Sequence, residues 1–220
     1  MPTCCWPPAT CGVERIFFSS SACVYNVALQ QSSAPRPLRE QDAYPAMPED
    51  GYGWEKLFSE RLYHHFQEEF GLEVRIARYH NAYGPHGTWE GGREKAPAAI
   101  CRKVIEAVCS GREEIEIWGD GKQSRSFMYV DDAIEGTLRL MRSEVSEPLN
   151  IGSAELVTID QLVDVAEEIA GVKLRRRYVL SEPQGGARAQ QRQQPYPRPA
   201  RLGTGHPPAR GAGEDLPVDP

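Results

Sequence analysis

Tyr52-x-x-x-Lys56 sets a phenol and an ammonium four residues apart, which on a helix puts both on one face. An ammonium held beside a phenol favours the phenolate. A phenolate can take the proton of an alcohol while hydride leaves the same carbon for a nicotinamide. Upstream, Ser19-Ser20-Ser21-Ala22-Cys23 offers hydroxyls that could hold the alcohol oxygen, Ser21 among them, and a thiol that is a competent base once ionised. Read alone, the Tyr–Lys spacing also fits an ordinary helix, and Cys23 fits a small buried hydrophobe.

These residues need a frame, and the hydrophobic pattern supplies one. Val13 to Phe18 is a short apolar run ending in three serines, which reads as a buried parallel strand. Tyr52 to Phe70 reads as a helix stopped by Gly71, and Leu72 to Tyr79 as the next strand. Helix Pro97–Val108, strand Ile115–Trp118 with a Gly-Asp-Gly turn, strand Phe127–Val130 and helix Asp131–Met141 follow. Strand Leu149–Ile151 and a helix capped by Thr158 and stopped by Gly171 complete the series. Strands alternating with helices predict an α/β fold with a mostly parallel sheet, whose ligands bind at the carboxyl ends of the strands. The polar clusters fall there.

Composition narrows the function. The chain has 220 residues and a net charge of −6, with no basic patch interleaved with aromatics, which argues against a nucleic-acid partner. No apolar run approaches membrane-spanning length and no signal-peptide pattern is present, so a cytoplasmic protein without a membrane partner is expected. The cysteines Cys4, Cys5, Cys11, Cys23, Cys101 and Cys109 form no zinc-type set, and no metal is expected. Cys101 and Cys109 read as buried helix positions, His80 as part of a site wall, and Glu113, Glu114 and Glu116 as solvated charges around an edge strand. No metal partner is spaced to join His64 and His65.

The order strand, serine cluster, Tyr-x-x-x-Lys helix, strand and Asn81-Ala82-Tyr83-Gly84-Pro85 resembles the extended short-chain dehydrogenase/reductase family. Gly119-Asp120-Gly121-x-Gln123-x-Arg125-x-Phe127-x-x-Val130-Asp131-Asp132 belongs to the same resemblance. It implies a Rossmann-like parallel sheet, here the C-terminal half of a nucleotide-binding domain, plus part of a small α/β substrate-binding lobe. It also implies NAD as cofactor, contacted by Tyr52 and Lys56, and a nucleotide diphosphate met by Arg125 with Gln123 and Ser124 beside it. Ser20-Ser21-Ala22-Cys23-Val24-Tyr25 and the stretch from Gly84 through Gly92-Arg93-Glu94-Lys95-Ala96 to Ala99 resemble the branch of that family that epimerises GDP-mannose at C3 and C5. Oxidation at C4 acidifies the neighbouring C–H bonds, and inversion then needs a base and an acid on opposite ring faces. By this resemblance Cys23 and Lys95 are that pair, and Ser21, Ala22, Asn81, Glu94, Ala96 and Lys103 join them on GDP-mannose or a related nucleotide sugar. The family also implies a homodimer through the Tyr52 helix and its neighbour. Alternatives are a neighbouring nucleotide-sugar epimerase, dehydratase or decarboxylase, and an inactive fragment that acts at most as an interaction partner.

The expected organisation is an irregular segment 1–11, a partial epimerase/dehydratase domain 12–184, and a disordered tail 185–220 rich in proline, glycine and arginine. The family's glycine-rich phosphate loop and its ribose-gripping acid are not found in the chain. Permitted codons from Gly186 can be shifted by one nucleotide into Arg-Gly-Arg-Asn-Ser-Asp-Asn, a family-like segment. Similar shifts exist from Arg201 and over residues 1–10. These readings predict N-terminal truncation and frame-shifted ends.

Overall fold

The structure, a computed structural model, describes residues 12–30, 37–92 and 94–181. The expectations for the head, the tail, and Cys4, Cys5 and Cys11 lie outside the described residues. Strand β1, Arg15–Ser21, runs into a 3₁₀ turn, Ala22–Val24. A short helix α1, Val27–Gln30, and a second 3₁₀ turn, Glu40–Ala43, precede the long helix α2, Gly51–Phe70. Then come β2 (Glu73–Tyr79), β3 (Ala82–Tyr83), α3 (Ala96–Ser110), β4 (Glu114–Trp118), β5 (Ser124–Arg125), β6 (Met128–Tyr129) and α4 (Val130–Arg142). Strand β7 (Leu149–Ile151), β8 (Val157–Thr158), α5 (Ile159–Ala170) and β9 (Arg175–Val179) close the series.

The central sheet has the order β1-β2-β7, all parallel. Ser21 lies opposite Tyr79, and Tyr79 opposite Ile151, so the three carboxyl ends are level. Alternation along the strands sends side chains to both faces. On one, Leu72, Val74 and Ile76 pack with Ile16, Phe18 and the α2 residues Tyr63 and Phe66. On the other, Ala77, Ile151 and Phe17 pack with Ala133 and Leu140 of α4. A parallel sheet covered on both faces is the expected α/β architecture. A further cluster joins α3, β4 and α5 through Val104, Ile115, Ile117, Leu162 and Val163.

Local signals explain where the elements begin and end. The Asp50 side chain accepts a hydrogen bond from Gly53 N and caps α2, while Gly71 ends it at φ 67°. Thr158 and Gln161 form a reciprocal cap on α5, and Gly171 stops it at φ 66°. Asp131 and Asp132 open α4, and Arg139 and Arg142 close it, complementing its dipole. No helix among the described residues is long and apolar enough to cross a membrane.

Three expectations need correction, and one further strand joins the series. The strand expected over Phe127–Val130 is only Met128–Tyr129, because Val130 already begins α4. Cys109 is exposed, whereas Cys101 is buried: eight residues on a 3.6-residue helix turn Cys109 about 80° round α3 from Cys101, off the face that buries Val104 and Ala107. Residues 175–179, with three consecutive arginines, form a strand that pairs in parallel with β4. Glu114 and Glu116 are therefore not merely solvated: Glu114 pairs with Arg175 and Arg177, and Glu116 with Arg177.

Candidate active site

Ser21 ends β1 in an extended conformation, and its hydroxyl accepts a hydrogen bond from Cys23 N at 3.2 Å. That bond turns the chain sharply and leaves the Cys23 side chain exposed. Helix α2 begins against this turn. A β-carbon on Gly53 would stand well inside 3.0 Å of the Cys23 carbonyl oxygen and 2.9 Å from the Pro48 side chain. Glycine is what lets the first turn of α2 touch the backbone at Cys23. Tyr52, beside it, is 48% exposed. Lys56 donates to the Ser19 carbonyl at 3.0 Å, with its ammonium 5.0 Å from the Phe18 ring centroid and 5.5 Å from that of Tyr52. Tyr52, Lys56, Ser21, Ala22 and Cys23 thus gather at the carboxyl end of β1.

A buried polar network stands behind them. Glu60, one turn after Lys56 on α2, pairs with Arg78 of β2 at 2.6 Å, and both are almost wholly buried. Ser20 donates its hydroxyl to the same carboxylate. Arg78 also donates to the Glu40 carbonyl at 2.6 Å and to the Tyr25 hydroxyl at 3.3 Å, and its guanidinium carbon lies 5.2 Å from the Tyr25 ring centroid. Tyr25 donates to Asn150 Oδ1 at 2.5 Å, and burial, outweighing the attraction of Arg78, pushes its phenol up to about 12. His80 Nε2 meets the same Asn150 oxygen at 3.2 Å. An amide oxygen can only accept, so Nε2 carries the proton. Burial pushes the His80 imidazole down to about 4, and it is neutral near pH 7. The residue types of this network were visible in the sequence, but only His80 was singled out. The available signal was Arg78 following Val74 and Ile76 on the apolar face of its strand.

The remaining expected site residues lie on the segments that follow. Asn81 donates through Nδ2 to the Ser126 carbonyl at 3.1 Å, joining the end of β2 to the segment before β6. The loop from Gly84 to Lys95 carries left-handed backbone at His86, Gly91 and Gly92. Lys95 is the exposed N-cap residue of α3, and Ala96 its first residue. The Glu94 carboxylate is held below its usual range by its own backbone N–H, by Arg102 at 3.0 Å, and by the Gly92 N–H. Lys103 donates to the Glu116 carbonyl at 3.0 Å and lies 5.1 Å from the Trp118 ring centroid; burial lowers its pKa. Gln123 donates to the Trp118 carbonyl at 3.2 Å. Ser124 and Arg125 form β5, antiparallel to β8, where burial lowers the arginine's pKa.

The expected residues therefore fall in two groups, one at the end of β1 and one on the lobe built from α3, β4 and β5. Asn81 is where the two segments meet. Sequence comparison decides the family: residues 8–152 match the model of the NAD dependent epimerase/dehydratase family. The chain belongs to that family. Within the epimerase/dehydratase family it is 47% identical over 163 residues to a GDP-mannose 3,5-epimerase of Arabidopsis thaliana, covering 74% of this chain and 42% of that protein. It is 49% identical over 154 residues to GDP-mannose 3,5-epimerase 1 of Oryza sativa subsp. japonica, covering 70% of this chain and 39% of that protein. The chain thus spans about two fifths of the length of these curated relatives. In fold it is similar to a UDP-glucose 4-epimerase of Thermotoga maritima, with a TM-score of 0.77 and 24% identity over 95% of this chain and 64% of that one. A GDP-L-fucose synthetase of Naegleria fowleri has the same TM-score at 18% identity, over 95% of this chain and 65% of that one.

Proposed function

We propose that this protein takes part in the NAD-dependent epimerisation of GDP-mannose at C3 and C5, through a 4-keto sugar, to GDP-L-galactose and GDP-L-gulose. The observation that carries the reading is the seating of the first turn of α2 on the backbone of Cys23. It brings Tyr52 and Lys56, read here as the alcohol-oxidising pair, to the turn that carries Cys23, and a thiol there, which no simple oxidoreduction requires, supports the reading. The identity to GDP-mannose 3,5-epimerases supports the same substrate.

The residues present fit the reacting end of NAD. Lys56 and Tyr52 stand at a strand end, with a carbonyl and hydroxyls around them. Buried Ser126 Oγ and Gln123 Oε1, without partners among the described residues, lie on segments that this reading gives to the nucleotide sugar. Among the described residues no glycine-rich strand-turn-helix is placed to receive the pyrophosphate, so this part of the protein would hold the nicotinamide and its ribose. When bound, NAD would accept hydride from C4 and return it at the end.

Tyr52, as phenolate, takes the C4 hydroxyl proton, and Lys56 stabilises the anion. Ser21 holds the sugar oxygen. The C4 ketone acidifies the C–H bonds on either side. Cys23, as thiolate, removes a proton from C3 or C5, and the Lys95 ammonium supplies one to the opposite face. Both groups re-equilibrate with water, so solvent hydrogen enters at each inverted carbon. Arg125, with Gln123, Ser124 and Lys103, meets the diphosphate, while Asn81, Glu94, Ala22 and Ala96 line the sugar. We place the protein in the cytoplasm, as a homodimer on the α2 face where Trp54, Phe58 and Leu62 are exposed at a spacing of four.

The test is incubation of the full-length protein with NAD and GDP-mannose in deuterated water. Deuterium at C3 and C5, with both epimeric products, is expected. A single inversion at C4, a 6-deoxy-4-keto product, or unchanged GDP-mannose would overturn the reading.

A further inference from the structure

Arg102 belongs to neither group of expected site residues, yet its guanidinium holds the loop that leads to one of them. Its Nε donates to the Trp89 carbonyl at 3.0 Å, in the middle of the Gly84–Lys95 loop. Its Nη2 pairs with Glu94 Oε1 at 3.0 Å, at the end of that loop. Its Nη1 pairs with Glu106 Oε1 at 2.9 Å, one turn on along α3. Three donors of one planar fork thus tie two points of the loop to the helix that follows it.

The loop needs such a tie. His86, Gly91 and Gly92 are left-handed, and among the described residues no regular strand or helix pairing fixes their path. Exposed ion pairs contribute little, but the Glu94 side chain here is only 9% exposed. The N–H groups of Glu94 and Gly92, with Arg102, also hold that carboxylate below its usual range. Lys95 follows Glu94 directly and is the N-cap residue of α3. Fixing Glu94 therefore fixes the point from which the lysine side chain projects.

We propose that Arg102 is a positioning residue that clasps the Gly84–Lys95 loop to α3 and thereby sets Lys95 for proton delivery. The inference rests on the reading of Lys95 as the acid. A lysine at position 102 keeps the charge and the stem but cannot span the Trp89 carbonyl, Glu94 and Glu106 together. Glu106, by contrast, sits one turn on along α3 and pairs with Arg102 and with Arg112 among the described residues.

Two readouts on the full-length protein separate the clasp from the chemistry. The first is amide hydrogen exchange of residues 86–92 in ligand-free protein, which does not depend on any activity. Arg102→Gln and Arg102→Lys should each raise it about tenfold, with β2 unchanged and Glu106→Gln near wild type. The second compares solvent-deuterium entry at C3 and C5 with transfer of a C4 label to NAD. Exchange should fall about 10–100-fold in both Arg102 variants, while C4 oxidation stays within about threefold. Arg102→Lys covers the case in which Arg102→Gln does not fold. Unchanged loop exchange would overturn the clasp. A loosened loop with unaltered deuterium entry, or with C4 oxidation lost equally, would overturn the positioning role. Wild-type protein that oxidises C4 but takes up no deuterium would overturn the reading of Lys95 and the positioning role with it, whatever the loop does.

Discussion

Gly53 lies so close to the backbone carbonyl of Cys23 that no β-carbon fits between them. The obstruction is backbone on one side and the Pro48 ring on the other, neither of which is the free end of a flexible side chain. Gly53→Ala should therefore push α2 off the 3₁₀ turn and cost about 1–3 kcal/mol of stability. Gly51, two residues earlier, has nothing within 4 Å of a built β-carbon and no left-handed backbone. Gly51→Ala should be neutral or stabilise by up to about 1 kcal/mol. Urea unfolding of the two variants measures the contrast; equal effects would mean the close approach does not matter.

Glu60 and Arg78 place a charge pair inside the molecule, where one partner without the other is costly. Glu60→Gln should lower stability by about 3–5 kcal/mol, because the Arg78 guanidinium is left buried without its counter-ion. The double variant Glu60→Leu, Arg78→Met should lose less than Glu60→Gln alone, since no unpaired charge remains. Denaturant unfolding of single and double variants decides it. A single-variant cost under about 1 kcal/mol would show that water reaches the pair.

His80 gives stability a pH dependence of known sign. Its folded pKa, about 4, lies below the unfolded value of about 6.5, so the unfolded chain binds the proton more readily. The neutral ring is tolerated at full stability above pH 6.5, and stability drains away as pH falls from there toward 4. The whole effect approaches about 3 kcal/mol at low pH. In His80→Gln this component should vanish. Unfolding midpoints compared between pH 7 and pH 4.5 should therefore converge for the two proteins as the pH falls. A constant difference between them would contradict the buried, neutral assignment.

What the sequence made legible is what short-range chemistry dictates. Thr158 and Gly171 bound α5 as expected, because a cap and a left-handed stop are local requirements. The strand-end serines and the Tyr52 helix fall where they should, since a motif that must present side chains also constrains its own backbone. Strand β9 was hidden. Arg175, Arg176 and Arg177 show no alternation, and their place in a sheet depends on Glu114 and Glu116 far away in the chain, and on Asp164 and Glu167 of α5. The roles of Gly53 and Arg102 were hidden for the same reason: each is defined by what approaches it, the Cys23 carbonyl in one case and a returning loop in the other.

The two steps proposed for the sugar should come apart under substitution in the full-length protein. Tyr52→Phe removes the oxygen that takes the C4 proton but keeps the ring, so GDP-mannose binding should survive. Turnover should fall about 10²–10⁴-fold. Cys23→Ala leaves Tyr52 and the Lys56 bond to Ser19 untouched, and the Cys23 backbone that receives Gly53 is unchanged. Label should therefore still pass from C4 to NAD in that variant, while deuterium entry at C3 and C5 is suppressed. Measuring both transfers in each protein is decisive, because a general loss of folding would depress them together. Wild-type deuterium entry in Cys23→Ala would remove the thiol from the mechanism. Wild-type turnover in Tyr52→Phe would remove the phenol, and with it the account of why α2 is seated on the end of β1.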